Sequence, residues 1–401
     1  MDASRSSRRR WTEIASRGGD DGARTVKVLH LFSNSKWTGP AEPALNLCAA
    51  LRREGIETEF ACAPGARVES NRVVVEARAR GIEPILSMRL PKYRNPLVNP
   101  LDVRRLRRLL KGTRYDIVHC HLDNDHRIAV AAGAPHIVRS SYHGEGFRYP
   151  SRQRKLFWGT SFLIEPSQAA LEHDLRLYGF PPDRAAVAPG AIDVDRFDPK
   201  RSLSNARAEL GIPPDAFVVG IVARMQLHRH FEDLWEATHQ LAAEFPKLHV
   251  VVVGRGTNEE IVGRRPVRQL GLEHVVHFAG FRSGDDFLAA LAAFDVKVFL
   301  VPGTDGTCRA VREAMAMGKP AIVARRGMLP EIVRDGETGI VFDNSPESLA
   351  VAIRTLITNR SRVRTMGTAA RRLALAQFSL EAHANTVRNI YEKVLAALPR
   401  A

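Results

Sequence analysis

The chain has 401 residues, enough for two or three domains of about 100–200 residues each. Some 44% of them are apolar and 26% charged, which fits a globular protein with sizeable cores and excludes wholesale disorder. Lys plus Arg number 59 against 44 Asp plus Glu, a net charge of +15, and no apolar run approaches the roughly 18–20 residues that a membrane-spanning helix needs.

Residues 1–24 carry arginines but no apolar stretch after them, so they read as a disordered basic tail rather than a secretory signal. Order is expected from Val26, where VKVLHLF reads as a buried strand closed by the turn-rich SNSKWTGP. A helix from about Glu42 to Gly55 and a strand in ETEFACAPG follow, then a helix near Asn71–Arg80 and a strand in IEPILSM. A basic helix near Leu101–Lys111, a strand in DIVHCH, a helix near Arg127–Ala132 and a strand in HIVRSSYH complete the first half. Strands that alternate with helices imply a parallel, doubly wound sheet.

The Pro-, Gly- and Asp-rich stretch from PGAIDVDRF to PPDA reads as a linker with a short helix. A second alternating block follows: strands in FVVGIVA, LHVVVVG, VVHFAG, VKVFLVPG, AIVA and GIVF, with helices at Phe231–Ala243, Arg309–Met317, Pro346–Leu356 and about Leu380–Leu398. The expected fold class is α/β with two Rossmann-like, doubly wound parallel sheets facing across a cleft. The expected boundaries are a tail at 1–24, a first domain at 25–195, a linker at 196–214, a second domain at 215–379 and a returning helix at 380–401.

Cys48, Cys62, Cys120 and Cys308 form no C-x-x-C pair, which argues against a zinc ribbon or disulfide framework and fits a reducing cytoplasm. The segment Met88–Arg114 holds nine bases and one acid, Asp102. Val103, Leu106, Leu109 and Leu110 make an apolar stripe there, so the arginines are either a solvated face or a dock for anionic lipid. No aromatic interleaving supports nucleic-acid binding.

The richest cluster runs from Val298 to Val333. A helix starting near Thr307 would direct its free N–H groups and dipole at an anion, with Gly306 allowing a tight turn and Asp305 in the loop at the helix mouth. Glu313 would lie about two turns further on. Ionised carboxylates accept hydrogen bonds from the hydroxyls of a sugar or a ribose, although a helix cap and a solvated glutamate would look the same.

Several motifs together resemble glycosyltransferase family 4, the retaining, group 1 enzymes of the GT-B fold. They are Glu313-Ala-Met-Ala-Met-Gly318-Lys-Pro320, Gly327-Met-Leu-Pro-Glu331, Pro189-Gly-Ala-Ile-Asp193, Asp116-Ile-Val-His119-Cys-His121 and Tyr142-His143-Gly144. Where the family carries G-R-L-x-x-x-K-G, this chain has Ala223-Arg224-Met225 and Arg229. Asp305 stands where the family has Glu, and the loop Trp37-Thr38-Gly39-Pro40 has one glycine where two are common.

The resemblance implies transfer of a hexosyl unit from a UDP- or GDP-sugar to a hydroxyl of a carbohydrate or lipid-linked acceptor, in polysaccharide or glycolipid synthesis of the cell envelope. The work would be done at the cytoplasmic face, with peripheral membrane contact. It further implies that Arg224 and Arg229 neutralise the leaving diphosphate without a metal or other cofactor, and that Glu313 holds the ribose and Asp305 the sugar. Gly254, Gly306, Thr307, Gly327, Met328 and Leu329 would line the donor site. His143, with Thr38 and Gly39, would serve the acceptor side. The alternatives are another GT-B chemistry, such as nucleotide-sugar epimerisation, or nucleotide-sugar binding without catalysis. The His-x-His of HCHLDNDH has the spacing of metal ligands on one strand face, but it belongs to the family pattern, and the metal-free reading is preferred.

Overall fold

A computed structural model describes residues 25–147, 150–302 and 305–397, so the expected tail at 1–24 lies outside the described residues. The chain divides into two compact units, one made of residues 1–190 with 380–401 and the other of residues 191–379.

The first unit is built on six parallel strands: β1 (Lys27–Phe32), β2 (Glu57–Cys62), β3 (Ile117–Cys120), β4 (Ile137–Ser140), β5 (Phe162–Glu165) and β6 (Ala185–Val187), in the order β2-β1-β3-β4-β5-β6. Side chains alternate across this sheet. Leu29, Leu31, Val118 and Cys120 pack under helices Asn99–Gly112 and Asp123–Ala132, while Val28, Ile117, Val138 and Ile164 meet helix Ala41–Arg53 and the C-terminal helix Leu380–Ala396. Both faces are covered, so the central strands read as continuous apolar runs rather than alternating ones.

The second unit has six more parallel strands: β7 (Phe217–Val222), β8 (Leu248–Val253), β9 (Val276–Gly280), β10 (Val296–Phe299), β11 (Ala321–Ala324) and β12 (Gly339–Phe342), in the order β12-β11-β10-β7-β8-β9. The segment 196–214 is part of this unit: Phe197 and Ile212 are buried in its core, and helix Ala206–Glu209 packs on helix Gly284–Ala293.

Three differences from the sequence reading have physical causes. IEPILSM is no strand. It touches β2 only where Ile85 donates to Phe60 O at 2.8 Å and accepts from Cys62 N at 3.3 Å, and the chain bends at Ser87 and Met88 before a second such pair can form. Helix Arg360–Gln377 was not anticipated, although Val363, Met366, Ala370 and Leu373 bury one face and the Asn359 side chain caps it by accepting from Arg362 N at 2.9 Å. The helix after β10 opens at Asp305 rather than near Thr307, so Asp305 and Gly306 lie in its first turn. All four cysteines are buried and none is in a disulfide, and no helix among the described residues is long and apolar enough to cross a membrane.

Candidate functional site

In each sheet the strand order reverses once, between β7 and β10 in the second unit and between β1 and β3 in the first. Doubly wound sheets bind ligands beyond the carboxyl ends of strands at such points. The residues singled out from the sequence fall on the segments that leave β1, β7 and β10, and on those that leave their neighbours β4, β8 and β11.

After β7 the chain runs through Ala223, Arg224 and Met225 into a tight turn at Leu227–Arg229. Met225 is buried and anchors the loop in the core, while Arg224 is exposed and Arg229 half-buried. The loop is pinned by backbone contact with the segment after β8: Ala223 N–H donates to Val253 O at 3.1 Å and Asn258 N–H to Met225 O at 3.3 Å. Glycine is required for this approach. A Cβ on Gly254, which sits at φ +139°, would lie 2.1 Å from Ala223 O, and one on Gly256 would lie 2.1 Å from Met225 O. The helical turns from Glu260 to Gln269 follow this glycine pair.

Arg224 and Arg229 are close enough for one charge to act on the other. Burial, and then the Arg224 cation, hold the Arg229 guanidinium below its ordinary range. Neither has an ion-pair partner among the described residues, and Arg229 Nε is buried without a hydrogen bond. Two neighbouring cations with no counter-charge make a site for a polyanion.

On the helix Asp305–Ala316, Glu313 is buried and bonded to Arg309 Nε at 3.0 Å. The β10 lysine Lys297 lies wholly inside, donating from Nζ to Val298 O at 2.6 Å; burial pulls it down to about 7, against the pull of the Glu313 carboxylate. The side chains of Asp305 and Thr307 lie outside the described part of the structure, and Gly306 is exposed. Gly327 takes φ +51° at the turn before helix Leu329–Ile332. Met328 and Leu329 are buried, and Leu329 N–H already donates to Arg326 O at 3.2 Å. That turn can therefore meet a ligand through backbone, not through those side chains.

In the first unit, Asp125 ties the two loops at the order reversal. It accepts from Ser33 N at 2.8 Å and Leu122 N at 3.0 Å, and burial pushes it up to about 7. Thr38 receives a weak hydrogen bond from Asn34 Nδ2 at 3.4 Å, and Gly39 is exposed ahead of helix Ala41–Arg53. His143 is exposed just beyond β4, its ring 5.9 Å from that of Phe147. The loop that carries it is fastened on its far side. Phe147 N–H donates to buried Asp174 at 3.0 Å, Ser167 Oγ donates to Gly144 O at 3.0 Å, and Gly146 at φ +83° leaves no room for a Cβ beside Asp174.

Sequence reasoning missed a pocket of about 390 Å³ beyond β1 and β2, bordered by Asn34, Lys36, Arg89, Lys92 and Tyr93. Three of these are cations and none is an acid. The lone acid of the basic segment holds its wall: buried Asp102 accepts the N–H groups of Arg89 and Leu90 at 2.9 and 2.8 Å. One acid among nine bases was the available signal. The arginines of that helix also divide, since Arg107 donates to Ala131 O at 2.7 Å and Arg105 pairs with Asp102, whereas Arg104, Arg108 and Lys111 are exposed.

Among the described residues, two clusters have the composition of metal ligands, buried His30, His119 and His121, and the more exposed His230, Glu232 and Asp233. In the second, His230 Nδ1 lies 3.3 Å from Glu232 and 3.9 Å from Asp233, an arrangement that an ordinary helix start also produces.

The model of the group 1 glycosyl transferases matches residues 204–373, and that of glycosyltransferase family 4 matches residues 38–196. The chain belongs to the family 4, group 1 glycosyltransferases. This family member is 34% identical over 223 residues to a D-inositol 3-phosphate glycosyltransferase of Corynebacterium aurimucosum, covering 53% of the chain and 52% of the relative. It is 30% identical over 274 residues to the protein of the same description from Corynebacterium glutamicum, covering 65% of each. The chain thus spans between half and two thirds of these relatives' length. Among solved structures, a glycosyltransferase from Rickettsia africae aligns with a TM-score of 0.77 at 18% identity, covering 93% of this chain and 100% of that one. The Anabaena protein HepE in complex with UDP aligns with a TM-score of 0.73 at 20% identity, covering 92% and 100%. The fold of the family member is GT-B.

Proposed function

We propose that the protein is a retaining hexosyltransferase that takes a sugar from a nucleotide-diphosphate donor and passes it to a hydroxyl of a phosphorylated acceptor. The observation that carries the donor half is the pair Arg224 and Arg229, two adjacent cations without a counter-charge beyond the carboxyl end of β7. As the glycosidic bond breaks, negative charge builds on the departing diphosphate, and these guanidinium groups offset it without a metal. The start of helix Asp305–Ala316 adds its dipole, and Glu313 takes the ribose hydroxyls. UDP is the first base to test, since HepE was solved with it.

The cationic pocket at Lys36, Arg89 and Lys92 supports an anionic acceptor, and the relatives' description as inositol-phosphate glycosyltransferases points the same way. A cell-envelope, lipid-linked acceptor is the second reading. Tyr93, Leu97 and Leu101 are exposed among Lys92, Arg94, Arg104 and Arg108, a mixture of apolar and basic groups suited to an anionic membrane surface.

The deciding experiment has two steps. Thermal stabilisation by UDP-, GDP- and ADP-sugars reads the donor, with Glu313→Ala expected to abolish the shift. Release of nucleotide diphosphate is then followed with inositol phosphate, a neutral polyol and a lipid-linked sugar. A transferase responds to acceptor, an epimerase needs none, and a pure binder releases nothing. No shift with any nucleotide sugar overturns the proposal.

A further inference from the structure

His119 on β3 and His121, which continues its pairing just past the strand end through an N–H bond to Leu31 O at 3.2 Å, lie two residues apart and so face the same side of the sheet. His30 on the neighbouring β1 is in register with His119. The three rings form a stack with centroids 4.5–5.3 Å apart and planes 11–26° from parallel. All three are fully buried.

Five of the six ring nitrogens are engaged. His119 Nδ1 meets the Tyr391 hydroxyl at 2.6 Å, and its Nε2 meets Ser140 Oγ at 2.7 Å. His121 Nδ1 meets the Tyr142 hydroxyl at 2.7 Å, and its Nε2 meets His30 Nδ1 at 3.0 Å. His119 therefore grips Ser140 at the end of β4, and His121 grips Tyr142 two residues beyond it. The next residue is His143.

A metal ion is a poor occupant here. Ligating nitrogens must converge to about 2.0–2.1 Å from one point, whereas stacked rings aim their lone pairs along parallel planes. Binding through one nitrogen of each ring would also break at least two of these four hydrogen bonds. Burial instead keeps the rings uncharged: it holds His30 down at about 3 and drives His119 and His121 well below their ordinary value. Nearby cations deepen this, Arg52 acting on His30 and Arg139 on the other two.

We propose that His119 and His121 are positioning residues: with His30, Tyr391, Ser140 and Tyr142 they form a buried hydrogen-bonded frame that fixes the strand end from which His143 projects. The role rests on the reading of His143 as an active-site group. It gives the His-x-His motif a use that is neither metal binding nor simple packing. A neutral frame can sit close to an exposed imidazole without setting its protonation, while still fixing its direction.

The test joins spectroscopy to kinetics. Imidazole ¹⁵N NMR of the full chain should show His119 and His121 neutral, each in a single tautomer, down to pH 5, and the His143 signals should move in Tyr142→Phe. In transfer assays, Tyr142→Phe and His121→Phe should lower kcat at least tenfold with donor KM within twofold, and His121→Asn should recover part of the loss. Titration of His119 or His121 near pH 6.5, stoichiometric zinc binding, or unchanged His143 signals and kcat in both variants overturns the proposal. A wild-type chain that turns over no nucleotide sugar would sink the transferase reading instead, and the NMR measurements would still decide the frame.

Discussion

The Asp102 carboxylate accepts the backbone N–H of Leu90 at 2.8 Å, and Leu90 stands at φ +40°, a conformation that L-residues with branched side chains rarely adopt. The bond holds the cationic wall of the first-unit pocket in place. Asp102→Ala should cost about 1–3 kcal/mol in chemical denaturation, because one buried and one part-buried N–H group lose their acceptor. Arg105→Ala, which removes only a part-exposed ion pair, should cost about 0–1 kcal/mol. Equal losses would mean that the carboxylate acts through its salt bridge rather than through the backbone.

The same wall gives a kinetic expectation. Arg89→Ala and Lys92→Ala should each raise KM for a phosphorylated acceptor about tenfold or more, the value of one charge-assisted contact. Donor KM should stay put. A rise in donor KM alone would move these cations from the acceptor to the nucleotide.

Gly254→Ala should destabilise the second unit by about 1–3 kcal/mol, since the new methyl meets backbone, not a flexible side chain, and the φ is unfavourable. The loss should appear in nucleotide affinity as well, because the displaced loop carries Arg224. Arg224→Ala and Arg229→Ala should each lose about 1.5–3 kcal/mol of transition-state stabilisation, roughly 10- to 150-fold in kcat/KM. Chelators should leave the wild-type rate unchanged. A rate abolished by chelation and restored by a divalent ion would assign part of the diphosphate's charge to a metal.

Buried titratable groups set the pH response of stability. Lys297 holds its proton to about 7 in the folded chain and to about 10.4 when unfolded, so the unfolded state binds more protons in between. Stability should rise with pH across that window, by at most about 1.4 kcal/mol per unit, and Lys297→Met should remove the rise. His30, His119, His121 and His126 act the same way at lower pH: all are held below the unfolded value of about 6.5, so each favours unfolding as pH falls beneath it. Asp125 and Glu165 oppose this, because burial raises both, and the folded state keeps their protons above about pH 4. Four against two leaves a net loss on acidification. Denaturation midpoints at pH 7, 6 and 5 should fall in that order; a flat profile would mean that the folded chain accommodates charged histidines.

Ten of the twelve strands were readable because they are largely apolar runs bounded by Gly, Pro and Asp; Phe162–Glu165 and Ala185–Val187, the last two strands of the first sheet, were missed. IEPILSM had a similar composition but pairs with β2 at Ile85 alone, because the chain bends at Ser87 and Met88. Helix Arg360–Gln377 was overlooked because its buried face is partly glycine and alanine, which composition does not mark as apolar surface. Arg224 and Arg229 could be picked out from family spacing, yet their adjacency and lack of partners exist only in three dimensions. His30 could not be joined to His119 and His121 before the β1–β3 register was known, since 89 residues separate the first two. Lys297, inside an unremarkable strand, carried no signal of its burial.

The C-terminal helix closes one face of the first unit's core, with Tyr391 bonded to His119 and Arg388 to Glu54 at 3.0 Å. The whole of the second unit lies between these pieces in the sequence. On the ribosome, where domains generally fold as they emerge, the order must therefore invert: residues 191–379 can complete their fold while the first unit still waits for its last helix. Until release, a sheet face lined by Val28, Ile117, Val138 and Ile164 stays open to solvent. Chains stalled or truncated before residue 380 should accordingly be ready clients for chaperones, even though every strand of both sheets has already been made.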